Sequence, residues 1–448
     1  MNSFQSIPTY VINLKKRIDR KNHILREFEG RNEFVINIVE ANEHKIGAVG
    51  LWSTIVQILN SLSCTNLDYI IICEDDHKFT SEYSSNYLFE SIKSSQSKGA
   101  DVLVGGVSWF ENIVPLSQSL YWMEEFTGLQ FTVIFKKFFQ SITTAKFLNS
   151  DAADKKISQL SSSKMLIYPY ISIQKDFGYS DATKNNEVSG RIDDLFRSSS
   201  EKIELINKVI RHYNLNPVKV EDLGFGDYDQ LKVPTYIINL PERTDRLEHI
   251  RKEFEGRNEF EVTIIPACHH DIGAVGLWHS IRKIITLAVE NDDDVIIICE
   301  DDHQFTEAYS KSNFMRNIIE AYYQGADVLS GGIGYFTQMI PLTEERFWID
   351  SFWSTQFIVL YKKCFNQILS EEFDDSVTAD DFLSIITSNK MVIYPFISTQ
   401  KNFGYSDICK RSIARDIPNI FERCSNRISG IIQTYTKYAL HTNKLSTK

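Results

Sequence analysis

The sequence predicts an α/β protein of two tandem domains, each built on a mostly parallel sheet, and three observations carry that expectation. The chain is one unit written twice. Pro8-Thr9-Tyr10-Val11-Ile12-Asn13-Leu14 returns as Pro234-Thr235-Tyr236-Ile237-Ile238-Asn239-Leu240, and the offset of 226 residues holds without a gap from Pro8 to Asp181, which falls on Asp407. About half of the aligned positions are identical. Within each copy, short apolar runs alternate with amphipathic, charged stretches, as strands alternating with helices do. Finally, Tyr69–Cys73 is apolar without interruption, which suits a strand covered on both faces.

Taken in order, Tyr10–Leu14 reads as a short apolar strand, and Arg17–Phe28 as a charged helix with Ile24 and Phe28 four apart. Val35–Val39 is a second strand. Val49–Leu62 is helical, opened by Gly47 and Gly50. After the Tyr69–Cys73 strand comes a helix ending at Gly99, where a glycine stops a helix without steric cost, and then the strand Val102–Val104. Past the gap-free region a one-residue slip aligns Leu195-Phe196 with Ile420-Phe421 and the helical stretch Ile203–Leu215 with Ile428–Leu440. A unit of this length needs no stacked neighbours to bury a core, so each copy is expected to be a complete domain. The expected division is residues 1–215, a Gly- and acid-containing linker at 216–232, and residues 233–448.

The 448 residues are 43% apolar and 24% charged, the balance of an ordinary globular chain, with a formal net charge of −11. An acidic chain lacks the field that attracts nucleic acid, so no nucleic-acid partner is expected. Seven cysteines without Cys-x-x-Cys spacing read as reduced thiols, not as a zinc site or a disulfide framework. The N-terminus has no signal-peptide pattern, and no apolar run approaches the ~18 residues of a spanning helix, so a cytoplasmic location is expected.

The most informative segment is Ile-Ile-Ile-Cys-Glu74-Asp75-Asp76-His77, repeated as Ile-Ile-Ile-Cys-Glu300-Asp301-Asp302-His303. Three carboxylates at the end of a buried strand repel one another unless a cation or a hydrogen-bond network compensates. Hard oxygen ligands suit Mn2+ or Mg2+, which bind through one or two carboxylates plus substrate phosphates and neutralise a diphosphate as it leaves. The plainer reading is an acidic loop that caps the next helix. The loop after the first strand, Asn13-Leu14-Lys15-Lys16-Arg17-Ile18-Asp19-Arg20, returns as Asn239-Leu240-Pro241-Glu242-Arg243-Thr244-Asp245-Arg246. Guanidinium forks suit phosphate, and ligands of open α/β sheets sit beyond the carboxyl ends of the strands. Otherwise Asp19 caps a helix and the arginines are solvated.

With these residues the chain resembles glycosyltransferase family 25, the lipopolysaccharide and procollagen galactosyltransferase type. The resemblance runs in order through Asn13-Leu14…Asp19-Arg20, Gly47…Gly50, Glu74-Asp75-Asp76 and Tyr168-Pro169…Gln174…Ser180-Asp181. In the second copy it runs through Asn239-Leu240…Asp245-Arg246, Gly273…Gly276, Glu300-Asp301-Asp302 and Tyr394-Pro395…Gln400…Ser406-Asp407. It implies a GT-A, Rossmann-like fold in each copy, a UDP-sugar donor (galactose typically), manganese, and inversion at the anomeric carbon, with a glycan, lipid-linked or protein acceptor. The sequence departs from the family where Thr54-Ile55 and Ser280-Ile281 replace Ser-His, and where Leu129-Gln130 and Thr355-Gln356 replace Gly-Thr.

On this reading Glu74, Asp76, Glu300 and Asp302 bind the metal. Asn13, Arg17, Arg20 and Asp75 bind the nucleotide sugar, as do Asn239, Arg243, Arg246 and Asp301. An inverting transfer needs a general base. Asp154 and Asp380, each beginning a helix-like run, resemble the family's acceptor-side aspartate, a first-turn acid being the plainer role. Asp181 and Asp407 complete the site or make a turn. Asp101 reads as structural, and Lys136-Lys137 and Lys362-Lys363 as a solvated face before a phosphate clamp. Trp52/Trp278 and Trp122/Trp348 are candidate sugar platforms, with core the preferred reading for Trp52. The tail from Ile408 carries eight Lys or Arg against Asp416 and Glu422, which allows a peripheral membrane contact, although a domain-closing helix is preferred. Other divisions of labour are one catalytic and one acceptor-binding copy, a metal-dependent phosphoryl hydrolase or transferase, and a non-catalytic nucleotide-sugar-binding protein.

Overall fold

The computed structural model describes residues 6–179, 188, 190–216, 230–404 and 417–442. The linker expected at 216–232 lies almost wholly outside them, as do Asp181, Asp407 and the non-helical parts of the basic tail. The chain divides into two compact units, Met1–Lys208 with Tyr435–Lys448, and Val209–Thr434.

The first unit runs β1 (Ile7–Asn13), α1 (Ile18–Glu27), β2 (Phe34–Glu40), α2 (Gly47–Ser61), β3 (Tyr69–Glu74), β4 (His77–Phe79), α3 (Ser85–Ser97) and β5 (Val102–Val104). It continues with β6 (Trp109–Pro115), β7 (Leu120–Thr127), β8 (Phe131–Phe135), α4 (Phe139–Thr144), α5 (Ala153–Leu160), β9 (Lys164–Ile167), β10 (Ser172–Gln174) and α6 (Arg191–Leu215). The expected strands and helices of its first hundred residues are all present, displaced by a few residues at their ends. Eight strands form one sheet in the order β2-β1-β3-β8-β5-β9-β7-β6, and β4 pairs with β10. The pairs of β1 with β2 and β3, and of β5 with β9, are parallel. Antiparallel β8 is wedged between β3 and β5, and β6 and β7 extend the far side. The second unit repeats this order, from Val233–Asn239 to Ser398–Gln400, and the helix Ile417–Thr442 follows in the chain. Each unit is thus a mixed α/β domain on a Rossmann-like sheet.

Burial follows from the sequence pattern. The Ile70-Ile71-Ile72-Cys73 run is almost fully enclosed, as are Ile55 and Leu59 of α2 and Val133 and Ile134 of β8. Fully burying such a side chain stabilises the fold by about 1.5–3 kcal/mol, which sets the sheet's centre. Register then does the functional placement. Ile12 lies beside Glu74, and Ile238 beside Glu300. The carboxyl ends of β1 and β3 therefore finish together, bringing Asn13 alongside the acidic triplet.

The second glycine of each Gly-x-x-Gly segment is explained by close approach. A Cβ on Gly50 would stand 2.3 Å from the Asn42 carbonyl oxygen, and one on Gly276 would stand 2.6 Å from that of Cys268. The loop preceding α2 is fastened there by Thr54, whose Oγ1 accepts from Asn42 N (2.9 Å) and donates to Gly50 O (2.8 Å). Ser280 makes the same two bonds with Cys268 and Gly276. The hydroxyl at this position is thus used to hold the loop.

Candidate functional site

At the shared end of β1 and β3 the triplet meets a buried guanidinium. Arg20, on α1, donates from Nη1 to Asp75 Oδ1 (3.0 Å) and Asp76 Oδ2 (3.2 Å), and from Nη2 to the Tyr179 carbonyl (2.9 Å). Asn13 Nδ2 donates to the other Asp75 oxygen at 2.8 Å. The second unit reproduces the cluster: Arg246 reaches Asp301 (2.8 Å) and Asp302 (3.2 Å), and Asn239 reaches Asp301 (2.8 Å). The second recurring arginine of each loop is thus turned onto the carboxylates and balances their charge. Asp75 and Asp301 have both oxygens engaged.

Arg17 and Arg243 line the two clefts. Arg17 lies over the ring of Tyr179, 4.1 Å from its centroid, and the Tyr179 hydroxyl donates to Asp19 at 2.8 Å. That bond is the main cause holding the Asp19 carboxyl below its ordinary range. Asp19 therefore fastens the segment after β10; it does not cap α1, which has no side-chain cap.

Burial, with Asp75 beside it, pushes Asp76 up to about 6 against the pull of Arg20, and Asp302 likewise to about 6. Glu74 is raised well above the carboxylate range by burial, then by Asp76 and Asp154. Glu300 rises to about 8 from burial and Asp302, opposed by the Thr355 hydroxyl, which donates to Glu300 Oε1 at 2.8 Å. In the first unit Leu129 stands at that position and offers no donor.

These groups form walls of a cleft of about 670 Å3 in the first unit and about 830 Å3 in the second. Asp154 and Asp380 line the same clefts from the first turn of a helix. Asp154 accepts from Gly128 N (3.1 Å) and Lys155 N (2.8 Å), and Asp380 from Ser354 N (2.7 Å) and Asp381 N (3.1 Å). These backbone donors fix the direction of each carboxylate. The far end of each helix is held by a buried lysine. Lys164 Nζ donates to the carbonyls of Ser158 and Ser161, and Lys390 Nζ to those of Ser384 and Thr387, all within 2.9 Å. Burial lowers both ammonium groups to about 8.

The donor set fits a small divalent cation that keeps most of its shell from water and phosphate. Asp76 Oδ1 is buried without a hydrogen-bond partner, and Glu74 lies beside it. In the second unit Gln400 Nε2 approaches Asp302 Oδ1 at 3.5 Å. Among the described residues no three His, Cys, Asp or Glu side chains gather into a complete ligand set, so any cation here takes the rest of its shell from solvent or substrate.

Other residues around the clefts are structural. His77 and His303 are fully buried, bonded through Nδ1 to Ser172 and Ser398, and kept neutral by burial. Asp101 takes Ser161 Oγ and Lys137 Nζ, each at 2.8 Å. Lys136 donates to the Leu62, Ser63 and Thr65 carbonyls at the end of α2, and Lys362 pairs with Asp292 and Asp294, so neither lysine pair clamps phosphate. Trp122 and Trp348 are 8% and 4% exposed, which removes them as sugar platforms. Trp52 and Trp278 are core, stacked on Phe147 and Phe373. The six described cysteines form no disulfide. No helix among the described residues is long and apolar enough to cross a membrane, and Phe421, Cys424, Ile428 and Ile431 of the last helix are buried. Those side chains close the domain and are not available to a lipid surface.

Two features escaped the sequence reading. His44 and His270 line the clefts, each with Nδ1 3.0 Å from the backbone nitrogen two residues on. Their recurrence at the 226-residue offset was the available signal. Gly106 and Gly332 let β10 and its counterpart approach, since a Cβ on either would stand 2.1 Å from the carbonyl oxygen of Ser172 or Ser398.

No protein-family model and no curated protein matches the sequence. Among solved structures, similarity is found to apo UDP-glucose pyrophosphorylase, at a TM-score of 0.26 and 12% identity over 44% of this chain and 82% of that one. The UDP-glucose complex of a UDP-glucose pyrophosphorylase gives 0.26 and 11% over 44% and 81%. Mannose-1-phosphate geranyltransferase from Thermus thermophilus gives 0.23 and 6% over 36% and 73%. Each likeness covers less than half of this chain.

Proposed function

We propose that the chain is a tandem, metal-dependent, inverting glycosyltransferase of the family 25 type, transferring a sugar, galactose by the resemblance, from a UDP-sugar to a glycan, lipid-linked or protein acceptor. One observation carries the reading. Both clefts pair a buried carboxylate cluster at the strand ends with a separately anchored aspartate on another element.

In this mechanism Asn13 and Arg20, or Asn239 and Arg246, lock the first aspartate of each Asp-Asp pair and balance its charge. Arg17 and Arg243 are the cleft guanidinium groups for the donor diphosphate. Asp76 with Glu74, and Asp302 with Glu300, would hold Mn2+ or Mg2+, which when bound supplies neutralisation of the leaving diphosphate. Asp154 and Asp380 take the proton of the acceptor hydroxyl as its oxygen bonds to the anomeric carbon. The bond from that carbon to the diphosphate oxygen breaks, and its electron pair leaves with the nucleotide. Backbone donors aim these aspartates without consuming their remaining lone pairs.

A second reading keeps one copy catalytic and the other as an acceptor-binding module. The Thr355–Glu300 bond, replaced by Leu129 in the first unit, favours the second unit as the catalytic one.

The test is nucleotide release from a panel of UDP-, GDP- and CMP-sugars, with manganese or chelator, by wild type, Asp76→Ala, Asp302→Ala and the double variant. Manganese-dependent turnover of one donor, abolished only in the double variant, is the expected result. Loss in one single variant assigns catalysis to that copy. Phosphate release without sugar transfer, or donor binding without turnover when acceptors are supplied, rejects the proposal.

A further inference from the structure

The buried tryptophans leave two indoles at the surface, Trp109 at 41% exposure and Trp353 at 45%. Trp353 lines the cleft of the second unit beside Ser354, Thr355 and Asp380. An isolated exposed aromatic is ordinary. A fixed one beside a candidate base is not, and Trp353 is held at its indole nitrogen and along one ring face. Its indole Nε1 donates to Asp381 Oδ1 at 3.0 Å, and Asp381 is itself held by Thr378 Oγ1 at 2.9 Å. Tyr335 backs the ring, with centroids 4.6 Å apart and planes inclined by 34°.

The backbone is clamped as well. Trp353 and Tyr335 form an antiparallel bridge, Phe352 N donates to Ser384 Oγ (3.3 Å), and Ser354 N to Asp380 (2.7 Å). Ser354 is held at φ 87°, a conformation that costs a non-glycine residue about 1–3 kcal/mol and persists only when its surroundings impose it. Side-chain and backbone freedom at Trp353 is thus removed before any ligand arrives, which is what a preorganised binding surface requires.

We propose that Trp353, tethered to Asp381 and backed by Tyr335, is the stacking platform for a pyranose ring of a saccharide acceptor, and that it gives the second domain an acceptor selectivity the first lacks. The assignment of the ring to the acceptor rests on the transferase reading above. The apolar face of a pyranose matches an open indole face, while Asp381, Asp380 and Thr378 supply the polar partners a sugar's hydroxyls need. In the first domain the corresponding residues are Thr127 and Lys155. Thr127 shares a hydrogen bond with Ser108 (3.0 Å), and the Lys155 ammonium lies 5.9 Å from the Trp109 ring centroid. The first domain's own exposed indole, Trp109, stands at the position of Tyr335, and where Trp353 and Asp381 line the second rim the first has a hydroxyl and a cation.

The experiment is a ligand-detected NMR titration of the full chain with millimolar methyl β-galactopyranoside, methyl β-glucopyranoside, lactose, cellobiose and N-acetyllactosamine. Wild type is compared with Trp353→Ala, Trp353→Phe and Trp109→Ala. Saturable binding of at least one sugar is expected, weakened about tenfold by Trp353→Ala, largely kept by Trp353→Phe and unaffected by Trp109→Ala. No saturable binding by wild type, or binding indifferent to Trp353→Ala, overturns the proposal. UDP titration with manganese, on wild type and Asp302→Ala, separates the two inferences. Sugar binding on Trp353 without UDP binding removes the transferase reading and leaves the platform; UDP binding without a Trp353 effect removes the platform alone.

Discussion

Replacing Arg246 by methionine tests the charge balance at the heart of the site. Methionine preserves much of the apolar stem and deletes the guanidinium. Arg246, Asp301 and Asp302 are all under 9% exposed, and Nη1 touches both carboxylates. Removing one partner of a buried ion pair costs about 3–5 kcal/mol, because charge is left unpaired. For a domain of this size that is a fall of about 6–20 °C in the unfolding midpoint. The cost depends on protonation. Asp302 sits at about 6 with the guanidinium in place, and without that attraction it moves higher still. Near pH 7.5 the variant then either keeps unpaired charge or takes up protons at a price in free energy. Near pH 5 the Asp302 carboxyl is already neutral, and its share of the deficit disappears while that of Asp301 stays. Calorimetric melting of wild type and variant at the two pH values reads this directly, with Arg20→Met as a replicate in the first domain. An equal loss at both pH values would refute the argument that Arg246 acts by balancing carboxylate charge.

Three further outcomes follow from the same geometry. Asp76 and Asp302, raised to about 6, hold protons in the fold that the unfolded chain releases earlier. Their contribution to metal-free stability is present in acid and lost as pH rises through about 6; a cation competes with those protons, so the melting gain from manganese is larger near pH 7.5 than near pH 5, and a pH-independent gain contradicts the site. Asp154→Asn and Asp380→Asn each lower the turnover of their own domain by about 10²–10⁴ while manganese-dependent UDP binding persists, read by single-turnover kinetics and calorimetric titration. Arg346, fully buried and bonded to Glu320 (2.8 Å), Asn317 (2.9 Å) and Gln324 (2.8 Å), has Leu120 as its counterpart. Glu320→Ala therefore destabilises the second domain by about 3–5 kcal/mol in urea titration, and adding Arg346→Leu recovers most of that loss.

Much of the first hundred residues was legible because apolar periodicity and repetition reinforce each other there. The Ile70–Cys73 run, the Gly47…Gly50 helix start and the acidic triplet all sit where the pattern placed them. The middle of the unit was harder. β6, β7 and β8 are antiparallel insertions, and periodicity reports which face of a strand is buried without reporting its partner. The same blindness affected the tryptophans. Trp122 lies in β7 within a run of buried residues, whereas Trp353 falls in an irregular segment whose outward aim depends on Asp381 and Tyr335. Arg20 reads as a phosphate ligand because its loop follows the carboxyl end of a strand. Its partners lie 55 and 56 residues away in sequence, and only the β1–β3 register reveals that they meet.

That register has an experimental consequence. Thr9 stands opposite Ile71 in one unit and Thr235 opposite Ile297 in the other, and the pairing continues in step to Glu74 and Glu300. Positions in the paired strands of one half thus have a naturally tested alternative in the other, carried on an equivalent backbone. Exchanging Leu129 with Thr355, or Thr127 with Trp353, brings in a side chain already accommodated at the matching place. A molecule with one site disabled also carries its own reference, since the surviving site reports folding, concentration and cation supply in the same sample.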